Sequence, residues 1–169
     1  MVDGTSKNLT VIGAGTMGRG IAHVGLVSGI HICLHDSIPE SLKAAEAAIQ
    51  KSMGRALQKG KLSDEEHSAS LQRLRIDSSL ESSVHEADFV IEAVPESTDI
   101  KESLYRNMAP FLSQDTILAS NTSSLSITEL GGFSGRADRF VGLHFFNPPY
   151  VLKLLEIIYG ASTSPETMA

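Results

Sequence analysis

Residues 9–18 read Leu-Thr-Val-Ile-Gly-Ala-Gly-Thr-Met-Gly, a short apolar run that breaks into three glycines within six positions. Beyond it, apolar residues recur every three or four positions at Met17, Ile21, Val24 and Leu26. The period changes from that of a strand to that of a helix across a tight turn. Each glycine has a physical task in such a turn. Gly13 lets the chain reverse sharply, Gly15 leaves room for a bound group to approach the backbone, and Gly18 allows the helix to lie against the strand. Gly13, Gly15, Thr16, Met17 and Gly18 would thus surround a helix N-terminus whose unpaired N–H groups and partial positive charge suit a phosphate.

A second apolar run, His31 to His35, ends at Asp36, which lies 23 residues after Gly13 (36 − 13). A carboxylate at that point accepts hydrogen bonds from both hydroxyls of an adenosine ribose, and it repels a phosphate on the 2′ oxygen. The expected cofactor is therefore NAD rather than NADP. A plain strand-to-helix turn, with Asp36 an ordinary helix-start acid, would share the pattern; the two features in register favour the nucleotide.

The rest of the chain continues the alternation. Ser37, with Glu40 three residues on, is expected to cap a helix whose apolar face carries Leu42, Ala45, Ile49, Met53, Ala56 and Leu57. Lys51, Arg55 and Lys59 form a basic stripe on its other side. A polar helix over 63–75 leads to a short strand near Leu74-Arg75-Ile76, and Asp88 to Ile91 reads as a buried strand. Then come a helix from Ile100 to Leu112, a strand from Thr116 to Ala119, a helix from Ser126, and strands near Phe140–Phe146 and Leu152–Ile158. Strands alternating with helices predict an α/β fold of Rossmann type, with a mostly parallel sheet and helices on both faces.

At 169 residues, 41% of them apolar, the chain can build one sizeable core, and residues 1–169 are expected to be a single domain. Fourteen basic residues against 20 acidic ones exclude a nucleic-acid footprint. No stretch approaches the ~20 apolar residues of a membrane span, and Met1 to Lys7 holds no apolar signal core. The lone Cys33 excludes an intrachain disulfide and fits a reducing, cytoplasmic location. No metal site is expected. His31 and His35, four residues apart on one strand, would sit ~13 Å apart, and His23, His67 and His85 read as structural or solvated. Ser164-Pro165-Glu166-Thr167 has the composition of a helix start, from which a further helical region is expected to follow.

Two other segments fall just beyond strand ends, where open parallel sheets bind ligands. Ser120-Asn121-Thr122-Ser123-Ser124 is rich in hydroxyl and amide groups that need partners. His144-Phe145-Phe146-Asn147-Pro148 places a histidine beside an asparagine. A histidine near neutrality can take a hydroxyl proton while hydride leaves the same carbon, and a carboxylate on its far nitrogen would fix its tautomer, with Glu156 the candidate. On spacing alone, His144 also fits a hydrogen-bonded strand-end residue, and Glu156 an outward-pointing one.

The runs Val11-Ile-Gly-Ala-Gly-Thr-Met-Gly-Arg-Gly-Ile, Ile91-Glu-Ala-Val-Pro-Glu96, Leu118-Ala-Ser-Asn-Thr-Ser-Ser-Leu and Gly142-Leu-His-Phe-Phe-Asn-Pro resemble the NAD-dependent 3-hydroxyacyl-CoA dehydrogenases, in the order and spacing of that family. The resemblance covers essentially the whole chain. It implies oxidation of a 3-hydroxyacyl-CoA to the 3-ketoacyl-CoA by hydride transfer to NAD, as in fatty-acid β-oxidation. It assigns the base to His144, its orienting partner to Glu156, and substrate-oxygen contacts to Ser123 and Asn147. Glu96 and Lys101 are implied near the nicotinamide ribose, Asn121 near the nicotinamide ring, and Ser52 and Lys59 at CoA. The basic stripe would meet the CoA phosphates. The resemblance also implies an all-helical domain after this one that completes the cleft and forms a homodimer.

One departure bears on the substrate. Asn147 is followed by Pro148-Pro149-Tyr150, a form that resembles relatives acting on free hydroxy acids, such as gulonate 3-dehydrogenase, its lens-crystallin form, and carnitine dehydrogenase. A free 3-hydroxy acid is therefore the alternative substrate. A non-catalytic, crystallin-like NAD-binding module is the alternative from another class.

Overall fold

A computed structural model describes residues 7–169. The segment read as lacking a signal core lies, except for Lys7, outside the described residues. β1 (Asn8–Ile12) leads into α1 (Thr16–Val27), β2 (His31–His35) into α2 (Pro39–Gln58) and α3 (Asp64–Gln72), and β3 (Leu74–Asp77) into the short α4 (Leu80–Val84). β4 (Phe89–Glu92), α5 (Thr98–Met108), β5 (Ile117–Ser120), α6 (Ile127–Ser134) and β6 (Phe140–Phe145) continue the alternation. β7 (Leu155–Tyr159) and α7 (Pro165–Met168) complete it.

The strands form one sheet in the order β3-β2-β1-β4-β5-β6-β7. All pairs are parallel except β6 with β7. The chain fills one side of β1 and then crosses back to lay β4 on the other, which is the doubly wound Rossmann arrangement. That reversal opens a crevice above the carboxyl ends of β1 and β4.

Strands covered on both faces need apolar residues at consecutive positions. Val11, Ile91, Ala119 and Val141 lie abreast in the ladder and belong to one core with Ile21 and Leu26 of α1 and Leu42, Ala45, Ile49 and Met53 of α2. One residue along, Val90, Leu118 and Phe140 turn to the other core, with Tyr105 and Met108 of α5 and Ile127 and Leu130 of α6. The four α2 residues are its buried stripe. Each of the larger ones contributes roughly 1.5–3 kcal/mol. Truncating Ile49 to Ala would cost ~2–5 kcal/mol.

Several boundaries differ from those expected. Ser37 does not cap α2: Ile38 is the N-cap, Pro39 opens the helix, and the Ile38 amide is taken by Asp36 Oδ1 at 2.9 Å. The capping box belongs instead to α3, where Ser63 and Glu66 satisfy each other's amides. The helix expected over 100–112 runs from Thr98 to Met108 and tightens into a 3-10 turn at Ala109–Phe111, since Pro110 has no N–H to continue it. α4, capped by Ser79, was not expected. β7 starts three residues later than read because residues 146–154 form a loop. Its Leu155, Ile157 and Tyr159 are exposed at the sheet edge. Among the described residues, no helix is long and apolar enough to cross a membrane.

Candidate functional site

The glycine turn sits at the sheet's reversal point. Gly13 adopts φ +102°, and its amide donates to the His35 carbonyl at 2.8 Å. A side chain there would come within 2.7 Å of the Ala93 carbonyl oxygen, so the turn is pressed against the end of β4. Gly18 is closer still: a Cβ would stand 1.7 Å from the Gly13 carbonyl oxygen. Gly15, the N-cap of α1, differs. Nothing lies within 4 Å of its Cβ direction, and no side chain caps the helix. With no acid in the first turn either, the N–H groups at Gly15, Thr16 and Met17 face open space. The cradle fits a diphosphate: bare amides, a positive helix end and a gap a methyl group would fill.

Asp36 borders this turn. Its Oδ2 accepts the Ala14 amide at 2.8 Å while Oδ1 accepts from Ile38. Both contacts fix the carboxylate beside the turn, and the remaining lone pairs are left for a ribose.

At the ends of β4 and β5 lies a web of polar groups. Glu96 Oε1 accepts the Thr122 hydroxyl, the Ser123 amide at 3.0 Å, and the Ser124 amide and hydroxyl at 3.3 and 3.2 Å. Burial pushes the Glu96 carboxyl up, but these donors and the Lys101 ammonium outweigh it and hold its pKa at about 2. Asn121, expected near the nicotinamide ring, uses Oδ1 to accept the Phe145 amide at 2.9 Å and so ties β5 to β6. Lys101, expected at the nicotinamide ribose, is 1% exposed, with Nζ between Glu92 and Glu96. Glu96, at 37% side-chain exposure, is the more accessible partner of that ion pair.

His144 and Glu156 stand opposite each other in the antiparallel ladder of β6 and β7. His144 Nδ1 lies 2.8 Å from Glu156 Oε2, so the two residues proposed from spacing are in contact. The second ring nitrogen, Nε2, is left for a ligand. Phe146 packs against the ring at 4.5 Å between centroids. Ser123 and Asn147 are both exposed at this end of the sheet.

Ser52 and Lys59 fall on a separate feature, a groove of about 920 Å³ between α1, α2 and residues 150–153. Arg19, Lys51, Arg55 and Lys153 add positive charge to its walls. His23, read as structural or solvated, is buried there, with Nδ1 3.0 Å from Ser52 Oγ and its ring 5.1 Å from that of Tyr150. Burial lowers the His23 pKa and keeps it neutral. Pro149 packs on α1 so closely that a Cβ at Gly20 would meet its Cδ at 2.7 Å. The Pro-Pro-Tyr departure thus shapes the wall of this groove. Its sequence signal was the basic stripe of Lys51, Arg55 and Lys59, all of which line it. A second hollow, of about 670 Å³, lies at the opposite end of the sheet near Lys7, His85 and Ile117. Among the described residues, no three His, Cys, Asp or Glu side chains are grouped to hold a metal ion.

Comparison with known proteins agrees with this geometry. Residues 8–169 match the family described as 3-hydroxyacyl-CoA dehydrogenase, NAD binding domain. A probable 3-hydroxybutyryl-CoA dehydrogenase of Bacillus subtilis is 40% identical over 161 residues, covering 95% of this chain and 56% of that protein. The human mitochondrial hydroxyacyl-coenzyme A dehydrogenase is 39% identical over 166 residues, 95% of this chain and 53% of its own length. The crystal structure of (S)-3-hydroxybutyryl-CoA dehydrogenase from Ralstonia eutropha superposes with a TM-score of 0.92 at 36% identity, covering 96% of this chain and 57% of that one. The chain spans about half the length of the curated relatives it matches. A glycine cradle at the sheet's reversal, a carboxylate bordering it and a family match over nearly every described residue lead to one assignment: the chain belongs to the NAD-binding domain family of the 3-hydroxyacyl-CoA dehydrogenases.

Proposed function

We propose that the chain is the nucleotide-binding part of an NAD-dependent L-3-hydroxyacyl-CoA dehydrogenase, which oxidises a 3-hydroxyacyl-CoA to the 3-ketoacyl-CoA. The observation that carries this reading is the 2.8 Å contact between His144 and Glu156, at the same end of the sheet as the phosphate cradle. NAD bound there would supply the hydride acceptor. Glu156 accepts from Nδ1 of His144 and so leaves Nε2 as the base that takes the proton of the 3-hydroxyl; the same carboxylate stabilises the imidazolium formed. Ser123 and Asn147 hold the reacting oxygen. Ser52 and Lys59, with the cations around them, receive the phosphates of CoA.

The reading includes an all-helical region that completes the cleft and pairs two copies as a homodimer. Its support is the greater length of the relatives and the exposed apolar row on β7. The proposed compartment is the cytoplasm, where the buried, unpaired Cys33 would stay reduced.

The test compares 3-hydroxybutyryl-CoA with gulonate and carnitine in the presence of NAD, following NADH absorbance. With the helical region attached, turnover of the CoA ester is expected to exceed that of both free acids. This chain alone is expected to bind NAD and turn over little, because catalysis needs substrate held ~3–3.5 Å from the nicotinamide. Faster oxidation of gulonate or carnitine would move the assignment to a free-acid dehydrogenase. Binding without any turnover in the longer protein would reduce it to a binding module.

A further inference from the structure

Glu92 and Lys101 are both 1% exposed at the side chain, with Lys101 Nζ 2.7 Å from Glu92 Oε1. Taking two such ions out of water costs several kcal/mol each, and an apolar pair of similar volume often serves the fold as well. Here both carboxylate oxygens of Glu92 carry two donors each. Glu92 Oε1 also accepts the Val94 amide at 2.8 Å, and Oε2 accepts the hydroxyls of Tyr105 and Ser120, each at 2.8 Å. Burial and the neighbouring Glu92 push the Tyr105 phenol far up, so it stays a neutral donor. A second ion pair leads out of this buried set, from Lys101 Nζ to Glu96 Oε2, 3.3 Å away. Glu96 in turn gathers the donors of residues 122–124.

We propose that Lys101, anchored by Glu92, is a positioning residue: it sets Glu96, and Glu96 holds the 122–124 loop so that the Ser123 hydroxyl is ready for the reacting oxygen. The role of Ser123 rests on the dehydrogenase reading above; the coupling of Lys101 to the loop does not. The charged groups facing Glu96 are Lys101 from α5 and, behind it, Glu92 from β4, whereas the 122–124 loop brings only neutral donors. With the cation removed, Glu96 keeps those donors but loses the one charge that opposes protonation. Its carboxyl then moves up from its depressed value, and its grip on the loop's donors weakens as it takes up a proton.

The variants are Lys101→Met and, because that change strands the Glu92 charge, the double change Glu92→Gln with Lys101→Met, which empties the interior of both charges. In the ¹⁵N-labelled chain, the amide shifts of Ser123 and Ser124 are followed from pH 7 to pH 4, with thermal melts confirming the fold. Flat curves are expected for the parent, and in both variants a titration that sets in within this range because the Glu96 carboxyl has moved up. In the longer protein, kcat for 3-hydroxybutyryl-CoA is expected to fall about tenfold while KM stays within about twofold. Amides that do not titrate in a folded variant would overturn the proposal, as would titrating amides with an unchanged kcat. Should the parent itself fail to oxidise the CoA ester, the dehydrogenase reading falls, and the amide curves still decide whether Lys101 sets the loop.

Discussion

Two neighbouring glycines should fail in opposite ways. At Gly18 an added Cβ would stand 1.7 Å from the Gly13 carbonyl oxygen, whereas such contacts normally need about 3.2 Å, so one backbone segment must retreat by about 1.5 Å. The turn cannot easily give way, because Gly13 is itself pressed on Ala93. Gly18→Ala is therefore expected to cost ~3 kcal/mol, or ~6–12 °C in Tm at ~2–4 °C per kcal/mol for a chain of this size. At Gly15 a Cβ meets nothing within 4 Å, and φ −67° suits any residue. Gly15→Ala should lose only ~0.5–1 kcal/mol of N-cap preference, a shift of ~1–4 °C. Its methyl group, however, fills the gap left for the diphosphate. NAD affinity is expected to fall ~100-fold, equivalent to ~2.8 kcal/mol. Calorimetric melts and titration with NAD measure both quantities. A Gly15→Ala chain that binds NAD like the parent would refute the placement of the diphosphate, and an unshifted melt for Gly18→Ala would refute the packing argument.

Other expectations concern the reacting centre and the charges around it. In the longer protein, His144→Gln should lower kcat by roughly 10²–10⁴ with NAD affinity nearly unchanged; near-normal turnover would remove His144 from the chemistry. Asp36→Ala should weaken NAD binding and narrow the preference over NADP, which competitive titration reads directly; an undiminished preference would remove Asp36 from that role. Lys59→Glu should raise KM for the CoA ester about tenfold while leaving a pantetheine ester untouched; equal effects on both esters would place the CoA phosphates elsewhere. Burial lowers the pKa of both His23 and His35. The unfolded chain therefore takes up protons first as pH falls below ~6.5, so the stability these two contribute is full above that pH and is lost below it. Urea midpoints should decline from pH 7 to pH 5, and a rise over that interval would contradict the burial.

What could be read from the residues follows from how local each signal is. Gly13, Gly15 and Gly18 do their work within six positions, and Asp36 ends the next strand, so the cradle was legible. His144 and Glu156 were legible as a candidate pair, but the register that brings them together was not, because it depends on an antiparallel ladder rather than on chain distance. Lys101 was placed at the ribose by resemblance, and its burial came from outside its own helix: Glu92 nine residues before it, itself held by Ser120 from another strand. His23, read as structural or solvated, proves structural for a similar reason, since Ser52 and Tyr150 cover it from two distant segments. The Ser37 cap failed on a competition within four residues, where Asp36 reached the Ile38 amide and Pro39 began the helix.

Placing His144 opposite Glu156 across a ladder makes that contact a matter of register, indifferent to how many residues connect the two strands. The connection at 146–154 is thus free to lengthen, shorten or change its prolines while His144 and Glu156 keep their spacing. A single residue inserted inside β7 ahead of Glu156 would do the reverse and swing the carboxylate to the other side of the sheet. An open stretch that can vary thus lies beside a contact that tolerates almost no slippage, and the two can change independently.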